Sequence, residues 1–293
     1  MSIVLQSPAK LNLFLAVTGR REDGFHDLVS VAAPVEFGDT LTVEPRAEGF
    51  SLECDQPALE TDETNLILRA ARAFAKASGW TGGAHFRLEK RIPMGAGLGG
   101  GSSNATTALL ALNQLAGGVL STDALIGIAA QLGSDCALFF AGGPVVMRGR
   151  GERVQPLPPQ AADRLRGRGV LIFKPPFGIN TAWAYRRLAA GAPGSYLPVP
   201  EAETRLDAWI DHATAPAEAL LFNNMEPAAF GKYVALPAAL ECLEEEFGLT
   251  PCMSGSGSAC FAFLTESSPV DAMTKRIHEL WGAEAFVRKT RLF

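Results

Sequence analysis

Between Ile92 and Ser103 the chain reads I-P-M-G-A-G-L-G-G-G-S-S, with five glycines in the seven residues from Gly95 to Gly101. Backbone without a Cβ lets a ligand come close. The N–H groups of a glycine loop that opens a helix converge on an anion, most often a phosphate. Pro93, Met94, Gly95, Ala96, Gly97, Leu98, Gly99, Gly100, Gly101, Ser102 and Ser103 are therefore the candidate phosphate cradle. Two other segments carry reactive groups. In Pro8-Ala9-Lys10-Leu11-Asn12-Leu13-Phe14 an extended chain puts Lys10, Asn12 and Phe14 on one face and Leu11, Leu13, Leu15 and Val17 on the other. Two polar groups spaced that way either grip one ligand or face solvent. In Leu132-Gly133-Ser134-Asp135-Cys136 a carboxylate stands just past a helix end, as a turn residue or as a base.

Several phosphate loops compete for the glycine segment. The Walker pattern G-x-x-x-x-G-K-[ST] needs a lysine before Ser102, and none is there. The dinucleotide pattern G-x-G-x-x-G occurs as Gly95, Gly97 and Gly100. It also requires an acid about 20 residues on, at the end of a second strand. The nearest acid, Asp123, reads instead as part of a helix start. A flexible Gly/Ser linker is the remaining reading, and the flanks oppose it.

Those flanks are a strand and a helix. His85–Lys90 alternates apolar and polar residues, and Pro93 ends it. Ala105, Ala108, Leu109, Leu112 and Leu115 follow the helical rule, with Ser102 or Ser103 as the expected N-cap and Gly117-Gly118 as the stop. Further out, strands are expected over 7–17, 28–37, 41–44, 51–54 and 145–147, and helices over 65–77 and 123–132. Residues 148–169, rich in Arg, Gly and Pro, read as a domain junction. Beyond it, strands are expected over 170–173, 259–264 and 285–289, and helices over 182–190, 203–212, 237–247 and 271–280. This mixture fits an α+β sandwich.

Composition narrows the classes. The 293 residues are 47% hydrophobic and 19% charged, ordinary for one large or two modest globular domains. No apolar run reaches the ~18 residues of a membrane helix. Met1–Gln6 lacks the features of a signal peptide. The five cysteines contain no C-x-x-C pair and read as reduced thiols of a cytoplasmic protein, with no structural metal. A net charge of −5 argues against a nucleic-acid partner.

Pro93–Ser103 resembles the phosphate loop P-x-x-x-G-L-G-S-S-A of the GHMP kinases. The extra glycine and the A-K-L-N-L-F-L segment from Ala9 narrow the resemblance to the branch acting on a cytidine diphosphate-linked methylerythritol. The likeness spans nearly the whole chain and several motifs in the family's order. It implies a two-domain GHMP kinase fold, with a ribosomal-S5-like, ATP-binding N-terminal domain over 1–155 and a ferredoxin-like C-terminal domain over 156–293. It implies ATP as donor, Mg2+ as the ATP complex, and a small-molecule acceptor phosphorylated on its 2-hydroxyl in the non-mevalonate route to isoprenoid precursors. Neither nucleic acid nor membrane is an expected partner.

Residue by residue, the resemblance makes Lys10 and Asp135 catalytic, Asp135 as the base and Lys10 beside the acceptor hydroxyl. Asn12 would bind the polyol or its phosphates. Arg20–His26 resembles G-R-R-x-D-G-Y-H, so Phe25 would stack on cytosine and His26 would hydrogen-bond it. Phe25 keeps the π face of the family's tyrosine and lacks its hydroxyl. Thr181 and Tyr185 would complete the substrate side, with Tyr185 preferred to Phe177 as the second aromatic. Ser134 and Cys136-Ala137 depart from the family's G-A-D-V-P. Met253–Phe261 resembles the third kinase motif. Asn223–Glu226 resembles N-D-L-E, with Asn224 in place of Asp and no catalytic role assigned. The rival readings are another small-alcohol kinase of the superfamily, lacking the R-R-x-D-G-aromatic-H segment, a silent nucleotide-binding relative that has lost the lysine or aspartate, and an NAD oxidoreductase.

Overall fold

A computed structural model describes residues 2–293. The chain forms two compact units, each assembled from separated segments. The first holds the chain up to Ala9, Phe37–Pro93 and Gly99–Gly142. The second holds Lys10–Glu36, Met94–Leu98 and Gly143–Phe293. Two long strands, β1 (Ile3–Arg20) and β2 (His26–Arg46), contribute to both.

In the first unit, β3 (Phe50–Cys54), β4 (Gly83–Glu89), β2 and β1 lie side by side in that order. β3 runs parallel to β4, and β2 antiparallel to it from Thr40–Glu89 to Arg46–Gly83. The helices are α1 (Leu66–Ser78), α2 (Gly100–Leu115) and α3 (Thr122–Leu132). Asn65 caps α1 by accepting from the Ile67 N–H, and Gly79 ends it at φ 69°. α2 is buried from Ser103 through Leu109 rather than along one stripe. Alanines and threonines on the faces away from Leu109 and Leu112 let neighbours close in. Phe74, Phe86 and Leu109 are fully buried at the centre of this core.

In the second unit, β5 (Val145–Gly149) pairs with the start of β2, and β6 (Arg153–Pro156) pairs with β5. Then come α4 (Pro159–Asp163), β7 (Gly169–Lys174), α5 (Thr181–Ala189) and α6 (Val199–Asp211). β8 (Phe222–Asn223) joins β1 in parallel at Phe14 and Leu15. The rest are α7 (Glu226–Phe230), α8 (Ala235–Phe247), β9 (Cys252–Met253), β10 (Cys260–Phe263), α9 (Val270–Trp281) and β11 (Phe286–Arg291). β11-β7-β10-β9 form an antiparallel sheet. The architecture is the expected α+β fold.

Three expectations change. Residues 28–37 and 41–44 belong to one strand, because Gly38 lets β2 pass against β1: a Cβ there would sit 2.3 Å from Ser7 O. Residues 148–169, expected as a domain junction without regular elements, carry β6 and α4. Glu152 accepts from the Arg150 N–H at 2.8 Å and closes the β5–β6 turn, and α4 follows. Neither Ser102 nor Ser103 caps α2. Gly99 does, at φ 71°, and its carbonyl accepts from Ser103 N.

Phe74 is fully buried and meets Trp80 edge-on. Phe74→Ala should cost about 3–5 kcal/mol, as such truncations do, read as a lowered urea midpoint at unchanged slope. A loss under about 1 kcal/mol would show that the core does not depend on this ring.

Candidate active site

Alternation on β1 turns Lys10 and Asn12 the same way, and both are buried, so they are not a solvent face. Lys10 Nζ donates to Asn12 Oδ1. Asn12 is fixed further: its N–H donates to Ser254 Oγ at 3.1 Å and its Nδ2 to Ser30 Oγ at 3.0 Å. Ser30 Oγ in turn donates to Phe14 O. The Ser254–Gly257 turn comes equally close to the middle of the glycine loop. A Cβ on Gly97, at φ 76°, would lie 2.2 Å from Ser254 O. Ser254 Oγ donates to Gly97 O at 3.2 Å, Lys10 N to Leu98 O at 2.9 Å, and Ala259 N to Ala96 O at 3.0 Å. A Cβ on Gly255 would stand 3.1 Å from Asn12 Oδ1 and 3.5 Å from Lys10 Nζ. Lys10, Asn12, residues 96–98 and the 253–259 motif therefore form one assembly. Asn223 Nδ2 donates to Met253 O and Gly255 O, supporting the turn from behind.

Pro93 and the start of α2, Gly99–Ser103, belong to the first unit. The first-turn amides of this 16-residue helix have no helical partners and carry the positive end of its dipole. Asp39 holds the strand exit that leads into the loop. Its fully buried carboxylate accepts from Arg91 N at 2.7 Å, Ile92 N at 2.8 Å and Asn104 Nδ2 at 2.9 Å, and pairs with Lys90 Nζ. Ser103 Oγ accepts from Ser7 Oγ at 2.9 Å, so this hydroxyl faces the interior and not the cradle. Asp135, partly buried, lies between the end of α3 and a 3-10 turn at Ala137–Phe140. Thr106 Oγ1 donates to Cys136 O at 2.8 Å, and Cys136 N donates to Gly133 O. Burial pushes the Cys136 thiol up to about 11, and the Ser102 hydroxyl engages it. The turn carrying Asp135 is thus tied to the first turn of α2.

A second cluster gathers aromatic rings. His26 meets Tyr185 at 4.9 Å and Tyr196 at 5.9 Å between ring centroids. Burial, with the Arg20 charge, holds the His26 imidazole below its ordinary value, which favours the neutral ring. Phe25 is 51% exposed, with the Arg150 guanidinium 5.0 Å from its centroid. Thr181 opens α5 and shares a hydrogen bond of 3.0 Å with Ser256 Oγ, while Tyr185 lies one turn on. α5 thereby connects the aromatic cluster to the glycine turn. Phe177 stacks on Tyr233 at 5.3 Å instead.

Sequence reading missed Asp39, Ser30, Ser254 and Tyr196. Asp39 gives no local signal, since its partners lie some 50 residues away. Ser254 lies in a motif noticed only for its glycines.

Residues 65–143 match the family described as GHMP kinases N terminal domain, and residues 206–283 match GHMP kinases C terminal. The 4-diphosphocytidyl-2-C-methyl-D-erythritol kinase of Protochlamydia amoebophila (strain UWE25) is 39% identical, with 89% of this chain and 84% of that protein covered. The enzyme of the same name from Synechococcus sp. (strain CC9311) is 38% identical over 92% and 89%. A crystal structure of 4-(cytidine 5'-diphospho)-2C-methyl-D-erythritol kinase superposes with a TM-score of 0.77 at 34% identity, covering 99% of each chain.

Removing the Asp39 charge strands the Lys90 ammonium, which is almost fully buried. Asp39→Asn should therefore destabilise by about 3–5 kcal/mol, measured by urea unfolding. Unchanged stability would show that the ion pair does not hold the loop entrance.

Proposed function

The chain belongs to the 4-diphosphocytidyl-2-C-methyl-D-erythritol kinases of the GHMP family, and on that premise we propose that it transfers the γ-phosphoryl group of ATP to the 2-hydroxyl of 4-diphosphocytidyl-2-C-methyl-D-erythritol, a step of the non-mevalonate route to isoprenoid precursors. The observation that carries the reading is the buried Lys10–Asn12 pair, held against two glycine turns that approach each other more closely than a Cβ permits.

In the proposed reaction, Pro93–Ser103 receives the triphosphate through main-chain N–H groups and the α2 N-terminus. The ATP-binding portion is residues 1–155, and 156–293 completes the substrate side. Asp135 accepts the proton of the acceptor hydroxyl. The freed oxygen bonds to the γ-phosphorus as the bond to the β–γ bridging oxygen breaks, and ADP leaves with that electron pair. Lys10 offsets the charge developing on the acceptor oxygen, and Asn12 fixes the Lys10 ammonium and the polyol. Phe25 stacks on the cytosine, His26 hydrogen-bonds it, and Thr181 and Tyr185 bound the same side.

Mg2+ would enter as the ATP complex and supply charge neutralisation to the triphosphate seated on Pro93–Ser103, in line with its preference for oxygen donors. Among the described residues no three His, Cys, Asp or Glu side chains group as a separate ion cage. Among the same residues no helix is long and apolar enough to cross a membrane. All five cysteines are free, consistent with action in the reducing cytoplasm.

A coupled ADP-release assay over the cytidylyl methylerythritol, mevalonate, homoserine and galactose should show turnover with the first alone. Preference for another alcohol would replace the substrate assignment. In that assay Asp135→Asn should lower kcat by about two to four powers of ten while ATP still binds, and near-normal turnover would remove the base role. Phe25→Ala should raise KM for the cytidylyl substrate about 5- to 100-fold, the worth of a base–aromatic stack. An unchanged KM would rule out stacking at this ring.

A further inference from the structure

We propose that the Tyr196 hydroxyl is a second hydrogen-bonding group for the pyrimidine of the substrate, determining specificity beside His26. The inference rests on the cytidylyl reading of the site and adds a residue that the sequence motifs do not contain.

The starting observation is a pair of buried polar atoms without partners. Among the described residues, His26 Nε2 and Tyr196 Oη are both shielded from solvent and hydrogen-bonded to nothing. Buried polar atoms are nearly always paired, because leaving one bare costs free energy. The two other such atoms are Nε of Arg164 and of Arg168. Both belong to guanidinium groups whose terminal nitrogens are already engaged, Arg164 by the carbonyls of Trp209 and His212 and Arg168 by Glu218. Neither needs a ligand. His26 and Tyr196 differ, because their rings adjoin at 5.9 Å and both keep a free hydrogen-bonding atom.

The Tyr196 ring is placed, not loose. Its own N–H donates to Pro193 O, and Leu197 N donates to Val17 O at 3.1 Å. Asn224 Nδ2 reaches Ser195 O at 3.1 Å and Val17 O at 2.8 Å, while Asn224 Oδ1 accepts from Val17 N. Asn224, where the family carries an aspartate, thus ties the loop before Tyr196 to β1. An amide does this where a carboxylate could not, since only the amide donates to two carbonyls. The neutral imidazole offers one donor and one acceptor, and the phenol offers a rotatable group that does either. A pyrimidine edge, with adjoining donor and acceptor atoms, supplies the missing partners of both.

The test is Tyr196→Phe in the full-length enzyme, with KM and kcat for 4-diphosphocytidyl-2-C-methyl-D-erythritol and for ATP, and the thermal midpoint with and without the cytidylyl substrate. The removed oxygen has no partner in the protein, so the ligand-free midpoint should hold or rise. KM for the cytidylyl substrate should increase about 5- to 50-fold, the worth of a lost partner to a buried polar atom. The substrate-induced rise in midpoint should shrink, with kcat and the KM for ATP within about twofold of the unmodified enzyme. A cytidylyl KM within twofold of the unmodified enzyme, or a rise confined to ATP, overturns the inference while leaving the substrate assignment intact. Absence of turnover of the cytidylyl substrate by the unmodified enzyme overturns both.

Discussion

The close approach of two main chains governs the second unit. Gly97 and the Ser254–Gly257 turn come nearer than any side chain allows, since a Cβ at Gly97 would lie 2.2 Å from Ser254 O. From that contact follow the bonds from Ser254 to Gly97 O and from Asn12 N to Ser254 Oγ, and through Asn12 the seat of Lys10. The glycines therefore act twice. They form the loop proposed to receive the phosphates, and they bring β1, that loop and the 253–259 turn within hydrogen-bonding distance of one another.

Buried charge is handled in the same economical way at the loop entrance. Asp39 is fully buried, yet its two oxygens accept from two main-chain N–H groups, one amide and one ammonium. Each oxygen of this carboxylate thus has two donors, so no buried acceptor is left unpaired. The arrangement also consumes space. A Cβ on Gly100 would stand 2.9 Å from Lys90 Nζ, so a side chain at the start of α2 would displace the lysine from its pairing position. Gly100 is thus crowded from below by the ion pair and by the Ile92 side chain.

Much of this was legible from residue pattern, for identifiable reasons. The glycine segment, the alternation of Lys10 and Asn12, and the helices near 65–77, 123–132 and 271–280 all rest on local periodicity and local caps, which a linear chain displays. The elements that escaped are short: α4, β6, β8, α7 and β9 have five residues or fewer and exist through their neighbours. Asp39 escaped because its partners lie far along the chain. Tyr196 escaped because a lone tyrosine in a Pro/Gly loop is indistinguishable from surface until its hydroxyl is seen to be enclosed. Ser102 and Ser103 misled as caps because serine is a favoured cap residue. Here the αL residue Gly99 takes that place, and Ser103 is drawn inward by Ser7.

The segment from Arg21 to Phe25 shows how an exposed ring is built on purpose. Asp23 Oδ1 accepts from Phe25 N at 3.1 Å, Gly24 takes φ 83°, and Arg21 N donates to Phe25 O at 2.8 Å. Arg21 bridges Asp23 and Asp27, fixing both sides of the turn with charge and not with apolar packing. These surface pairs are individually weak, so the closed turn owes its shape chiefly to the main-chain bonds. The outcome is a phenyl ring held half in solvent, with the Arg150 guanidinium beside it. Such a contact is worth about 0.5–1 kcal/mol at an exposed site, which is too little to bury the ring but enough to restrain it. A restrained ring loses less freedom on stacking against a flat base than a mobile one would. In the stacking role proposed for Phe25 only the π face is used, so the hydroxyl of the family's tyrosine is not required. The Arg21–Asp23–Phe25 bonds fix the turn from which the ring projects.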